Sequence, residues 1–332
     1  MFLFIKSRYI NYEIEFNRKV TIIQGDSGTG KTKIVETIKE LDSNGMASMF
    51  TSNGLKVYIL ERTSTWETSI KNSVNTLFLI DEECSWILSK DFAELVHKSD
   101  NYFIIISRDP IKSLNYSYEE IYEMKNSGKF NRTVRKYKLD KFNKLDKECE
   151  IILIEDSNSG FEFYKAHIGV NVESTNGKTR IKSILVNKIQ NGIEKIGIIA
   201  DGAAFGNEIS RIKSVCESVE GIKVSWFLPD CVEGFIVNSG LLNFQGLINE
   251  LKKLNKNKYI SYEDMYCELV HEYTVGTPAQ YSKSGINTCY ISHCCHKSCP
   301  PCKLYKNVDK KTIVNELVFG SERNTRNDKL LF

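Results

Sequence analysis

Hydrophobic positions along the chain fall into short, regularly spaced runs. Phe2-Leu3-Phe4-Ile5 and Tyr12-Glu13-Ile14-Glu15-Phe16 come first. The second alternates polar and apolar residues, the period of a strand with one buried face, and the two predict paired strands. Val20-Thr21-Ile22-Ile23, Val57-Tyr58-Ile59-Leu60, Leu77-Phe78-Leu79-Ile80 and Tyr102-Phe103-Ile104-Ile105-Ile106 follow as short apolar runs. Such runs suit strands of a parallel sheet covered on both faces. Helical patterns lie between them, at 33–41 and 91–98. The alternation predicts a doubly wound α/β domain over residues 1–130.

The rhythm breaks at 131–150, where Arg132, Arg135, Lys136, Lys138, Lys141, Lys144 and Lys147 stand among few apolar residues. The segment reads as a basic linker, with a nucleic-acid-facing stripe as the alternative. A second series then begins with Ile151-Ile152-Leu153-Ile154. It continues through helical patterns at 161–166, 181–189 and 207–219 and strand patterns at 196–200 and 222–228, and beyond Leu241 it turns mostly helical. This predicts a second, smaller α/β domain over 151–332 with a helical, cysteine-rich C-terminal part. No repeat of solenoid period interrupts it.

A chain of 332 residues is long enough for two domains with their own cores. Its 41% hydrophobic and 26% charged residues are ordinary for a globular protein. A net charge of +3 is too small to argue for nucleic acid on bulk charge. No apolar run reaches the ~18–20 residues of a membrane span, so no membrane partner is expected. Met1–Lys6 has neither a basic leader nor a small-residue cleavage site, and a cytoplasmic location follows as an expectation. In that compartment ten cysteines are thiols or metal ligands rather than disulfides.

The chemistry concentrates first in Gly25-Asp26-Ser27-Gly28-Thr29-Gly30-Lys31-Thr32, which fits G-x-x-x-x-G-K-[ST] between a strand and a helix. Glycines at these positions let backbone N–H groups converge on a phosphate at a helix N-terminus. Lys31 would bridge the β- and γ-phosphates of ATP, and the Thr32 hydroxyl would hold Mg²⁺. The strand 77–80 ends in Asp81-Glu82, 81 − 32 = 49 residues after Thr32. Asp81 would contact Mg²⁺, and Glu82 would polarise the attacking water. The next strand ends in Ser107-Arg108-Asp109. Ser107 is a candidate γ-phosphate sensor and Arg108 a candidate transition-state cation, against the alternative of a surface loop.

On Gly25–Thr32, Asp81-Glu82 and, more weakly, Ser107, residues 1–125 resemble the branch of P-loop NTPases that carries a catalytic glutamate. The antiparallel strands before the loop are similar to those of ATP-binding-cassette and SMC-like heads. No LSGG-type signature stands between the two nucleotide motifs, so a compact AAA-like ATPase is the better match. That resemblance implies ATP hydrolysis and a homo-oligomer whose neighbour lends an arginine.

In the second series acids follow strands. Glu155 succeeds Ile154, Asp201 succeeds Ala200, and Glu233 follows the 222–228 strand after a short loop. Acids at neighbouring parallel strand ends meet at one sheet edge and form a candidate second Mg²⁺ site. The series resembles a Toprim-like domain, as in nucleases joined to ATPases in phage-defence proteins, where a glutamate follows the first strand and Asp-x-Asp a later one. Glu155 and Asp201 take those places. Asp201-Gly202-Ala203 lacks the second aspartate. Asp156 and Glu233 are the candidate substitutes, and a domain that does not cleave stands beside them.

Cys289, His293, Cys299 and Cys302 are candidate Zn²⁺ ligands, with Cys267 and His271 as another pair, against unliganded thiols. Three functions remain open: an ATPase regulating an effector domain that acts on nucleic acid or a partner protein, a small-molecule or nucleotide kinase, and a nucleotide-switched interaction protein without nuclease activity.

Overall fold

The computed structural model describes residues 1–7, 9–25, 34, 37, 48–62, 65–169, 171–241, 244–251, 262–292 and 309–320. Its fold is α/β, in two compact units. The first lies within Met1–Lys138, and the second is drawn from Leu139–Leu254 and Ser261–Phe332.

The first unit is built on nine described strands. These are β1 (Phe2–Lys6), β2 (Asn11–Glu15), β3 (Val20–Gln24), β4 (Ser48–Thr51), β5 (Lys56–Leu60), β6 (Thr76–Ile80), β7 (Tyr102–Ser107), β8 (Ile121–Ser127) and β9 (Phe130–Arg135). Their order is β4-β1-β2-β9-β8-β3-β7-β6-β5. The five strands from β8 to β5 run parallel. The sheet as a whole is mixed rather than parallel, because β1 pairs antiparallel with β2 and β4, and β8 with β9. β6 and β7 are buried throughout, as continuous apolar runs require. Helices α1 (Trp66–Lys71) and α2 (Lys90–Lys98) connect the parallel strands. Leu3, Ile5, Ile14, Ile23, Leu77 and Ile104 share one core with Ile34. Burying each such side chain is worth about 1.5–3 kcal/mol before entropy.

The basic linker expected at 131–150 is corrected by the strands it contains. β9 lies between β2 and β8 in the large sheet. Its Asn131 and Thr133 are buried while Arg132 is exposed, so a period of two is present, written in polar residues. Farther on, β10 (Asn143–Lys144) pairs with β14 of the second unit's sheet, and Phe142 and Leu145 are buried.

The second unit has the sheet β10-β14-β13-β11-β12, with β11 (Ile151–Ile154), β12 (Val172–Ser174), β13 (Lys195–Ile199) and β14 (Lys223–Phe227). All pairs but β10–β14 are parallel. Its helices are α3 (Ser159–Ile168), α4 (Lys178–Gln190), α5 (Gly206–Glu217), α6 (Val232–Asn238), α7 (Gln245–Leu251), α8 (Glu263–Thr274), α9 (Thr288–Ile291) and α10 (Lys310–Phe319). The sheet is the smaller of the two, but the unit spans more of the chain than the first. The reason is that its C-terminal helices belong to it: α10 packs on α3, and α8 on α6. Phe163, Tyr164, Phe227 and Phe235 form an aromatic cluster under them.

Candidate functional sites

Parallel strands deliver their C-terminal ends to one sheet edge, the usual place for ligands in α/β sheets. In the first unit, register sets Gln24 beside Ser107 and Ile80 beside Ile105. β3 therefore opens into the Gly25 loop next to β7, and β6 brings Asp81-Glu82 to the same edge one strand farther on. Gly25 is described; Asp26, Ser27, Gly28, Thr29, Gly30, Lys31 and Thr32 lie outside the described residues.

Asp81 is buried, and its Oδ1 accepts the Glu82 N–H at 2.7 Å. Glu82 is held by Arg108 in a bidentate pair: Nε donates to both carboxylate oxygens at 2.9 and 3.0 Å, and Nη2 donates to Oε1 at 2.7 Å. The Glu82 contact raises the Arg108 pKa further. Arg108 thus contacts the glutamate directly. The Ser107 hydroxyl donates to the Asp109 carbonyl at 2.6 Å, within its own loop. Gln24 ties the edge together, donating to the Arg108 carbonyl at 3.1 Å and accepting from Lys136 at 3.0 Å.

The second unit shows the same logic with more charge. Ile154 pairs with Ile199, so Glu155 lies level with Ala200, and the Asp201 N–H donates to Glu155 Oε2 at 3.0 Å. Asp156 accepts backbone N–H groups of Ser157, Asn158 and Gly160 at 2.6, 3.0 and 2.7 Å, fastening the start of α3. A pocket of about 270 Å³ is lined by Glu155, Asp156, Tyr164, Asp201 and Glu263. Burial, then the neighbouring carboxylates, push the Asp201 carboxyl well above its ordinary range. Glu155 is raised by the same burial, against the Asp201 N–H and Lys178. Burial depresses the Lys178 ammonium, which donates to the Ala204 carbonyl at 2.6 Å and Asn207 Oδ1 at 3.2 Å.

Glu233 is corrected in place. It sits in the first turn of α6, 1% exposed, behind the pocket rather than on the sheet edge. One oxygen accepts the Tyr281 hydroxyl, and Oε2 has no hydrogen-bond partner. Burial and this carboxylate hold the Cys267 thiol up in its protonated form. His271 Nδ1 meets the Tyr281 carbonyl at 3.1 Å. Cys289 is buried, with its thiol 3.5 Å from the Pro278 carbonyl. His293, Cys299 and Cys302 lie outside the described residues.

Tyr164, Lys178 and Glu263 carry no local sequence signal of a site. Glu263 sits in the first turn of a helix, where acids are common for dipole reasons alone. Among the described residues, no group of three or more His, Cys, Asp or Glu side chains is placed to hold a metal ion, and no helix is long and apolar enough to cross a membrane. A scan against protein-family models finds no match, and no curated protein is significantly similar to the chain.

Proposed function

We propose that the first unit hydrolyses ATP and that its cycle regulates the second, a divalent-cation-binding effector unit that acts on nucleic acid. The observation that carries the reading is the shared edge of β3, β7 and β6. It brings the end of the strand that opens the Gly25–Thr32 loop to the same edge as Ser107, Asp81 and Glu82. Lys31 and the loop amides would bind the phosphates. Asp81, a buried carboxylate fixed by its Glu82 N–H contact, fits Mg²⁺ as a hard oxygen donor, with Thr32 as the second protein ligand. Bound there, Mg²⁺ would neutralise charge developing on the phosphates.

Glu82 is the base that orients water, and Arg108 is its restraint. While the guanidinium holds both carboxylate oxygens, Glu82 has little freedom to accept from water. A γ-phosphate competes for the same guanidinium, so substrate would draw Arg108 off the base and onto the group being transferred. The test is phosphate release by the full chain with and without DNA or RNA. Lys31→Ala is expected to abolish it, and Glu82→Gln to lower it by about 10²–10⁴ while ATP still binds. Wild-type rates in Lys31→Ala would overturn the assignment.

In the second unit the donor set fits Mg²⁺ or Mn²⁺. Glu155 and Asp201 are oxygen donors at one edge, and the buried Tyr164 hydroxyl has no hydrogen-bond partner. Such a cation would activate water or polarise a phosphodiester. Ala203, fully buried where the second aspartate of the Toprim-like pattern would stand, favours a second reading: an interaction unit without cleavage. Nuclease assays with Mg²⁺ or Mn²⁺ separate the two, since only the first reading expects cleavage that Glu155→Ala removes.

A further inference from the structure

Resting on the cation-site reading of the second unit, we infer that Glu263 is the third carboxylate of that site, taking the role left vacant at Ala203, and that Lys283 covers it when no cation is bound. The sheet edge offers Asp156 as a third acid, but both its carboxylate oxygens accept backbone N–H groups at the start of α3. β14 leads to Glu233, but that residue is turned inward onto Tyr281 and does not line the pocket. Glu263 does line it, delivered by the first turn of α8.

A group of acids is not a site by itself; Tyr164 supplies the independent observation. Its ring is 2% exposed in the aromatic cluster, it lines the same pocket, and its hydroxyl has no hydrogen-bond partner. A buried hydroxyl left so is costly. The water shell of a divalent cation would accept from it. Mg²⁺ keeps several such waters and uses only a few carboxylates, so a pocket of this size lined by Glu155, Asp201 and Glu263, with Asp156 engaged at the start of α3, suits a hydrated ion.

Lys283 explains why no cage is already closed. Its ammonium pairs with Glu263 Oε1 at 2.6 Å. Cation binding is then an exchange: one ammonium leaves the carboxylate and the ion takes its place. An acid that served only to anchor α8 would need Lys283 as its partner, and losing either would have the same consequence. A ligand restrained by a competitor behaves oppositely, and the two variants must move cation affinity in opposite directions.

The experiment is Mn²⁺ binding to the full chain without nucleotide, read by the loss of the free-ion electron paramagnetic resonance signal, in a Thr32→Ala background that removes the first unit's own ligand. Glu155→Gln is expected to abolish binding, Glu263→Gln to weaken it at least tenfold, and Lys283→Ala to strengthen it. The metal-free melting temperature of Glu263→Gln is expected to stay at or above the parent's, since a charge leaves a repulsive cluster. Unchanged affinity in Glu263→Gln alongside loss in Glu155→Gln overturns the role of Glu263 and leaves the site standing. Weaker binding in Lys283→Ala overturns the exchange. No binding by the parent chain overturns the cation-site reading itself.

Discussion

Replacing Gly197 with alanine probes the strand register on which the acidic pocket depends. Gly197 of β13 lies beside Ile152 of β11, and the same register sets Glu155 level with Ala200. A Cβ at 197 would stand 2.9 Å from Ile152 Cγ1, 3.2 Å from Leu145 Cδ1 and 3.3 Å from Cys149 Sγ. The first distance is shorter than carbon atoms tolerate, and Ile152 is fully buried in a strand bonded on both sides. Overpacking of this kind costs about 1–3 kcal/mol. Alanine recovers about 0.4–1 kcal/mol by narrowing the unfolded ensemble. The net expectation is a loss of roughly 0.5–2 kcal/mol.

A double-mutant cycle makes the test specific. Ile152→Ala alone should cost about 2–5 kcal/mol through the cavity it opens. In the double variant the new methyl group partly fills that cavity, so the two costs should fall short of additivity by ~1 kcal/mol or more. Urea unfolding followed through Trp226 reads the right sheet, because this residue is 6% exposed on β14 and paired with Ile198. Trp66→Phe and Trp86→Phe leave it as the sole reporter, the chain having three tryptophans. A neutral Gly197→Ala, or additivity within about 0.5 kcal/mol, would refute the register and with it the placing of Glu155 beside Asp201.

Three further outcomes are expected. Arg108→Ala should lower phosphate release by about 10³, because the guanidinium drawn onto the transferring group is lost; a rise of up to about fivefold would show that the exposed pair only restrains Glu82. His167 is buried, and its Nε2–H donates to the Tyr290 carbonyl at 3.0 Å, while burial lowers its pKa. The folded state therefore binds that proton more weakly than the unfolded chain, and stability is lost as pH falls below the unfolded value of about 6.5 toward the depressed folded one. His167→Gln should flatten the drop in urea midpoint between about pH 6.5 and 5, and an unchanged drop assigns the acid sensitivity elsewhere. Asp156→Ala removes the acceptor of three backbone N–H groups at the start of α3. It should cost about 1–2 kcal/mol and speed hydrogen exchange at 157–160; unchanged exchange would show that the cap is dispensable.

Which parts of the fold were legible follows from how each residue's burial is written. β6, β7, β11 and β13 are apolar runs because both faces are covered, and their ends matched the sequence pattern to within a residue. β8 and β9 carry no apolar strand signal because their outer faces hold Lys125 and Arg132 while the inner face of β9 uses Asn131 and Thr133. Counting charge there gave a linker, whereas the spacing of buried polar groups gives a strand. Glu155 and Asp201 could be found because each directly follows an apolar strand. Glu263 could not, being 263 − 155 = 108 residues beyond Glu155 and delivered by a helix with no mark of its destination. The Arg108 restraint on Glu82 was equally hidden, since it depends on strand order rather than on either strand's sequence.

The two acidic edges differ in charge balance, and that difference bears on what each can do. At the first, Glu82 is met directly by a guanidinium, so the edge is satisfied before any ligand arrives. At the second, Glu155, Asp156, Glu233 and Glu263 all act on Asp201, while the ammonium groups that face the cluster are Lys178, much of whose hydrogen bonding goes to Ala204 and Asn207, and Lys283 through Glu263. Carboxylates held this close in a poorly solvated pocket disfavour one another's ionised forms. Replacing them with neutral side chains of the same shape would stabilise the fold, so packing does not explain the cluster. On the proposed cation-site reading, a divalent cation is the ligand for which the repulsion among these acids becomes attraction. The same reasoning makes the metal-free second unit more stable when any one of Glu155, Asp201 or Glu263 is changed to its amide, and less responsive to Mg²⁺ in each case. Calorimetry with and without the ion measures both effects, and an amide variant that lost stability without the ion would show the acid to be structural.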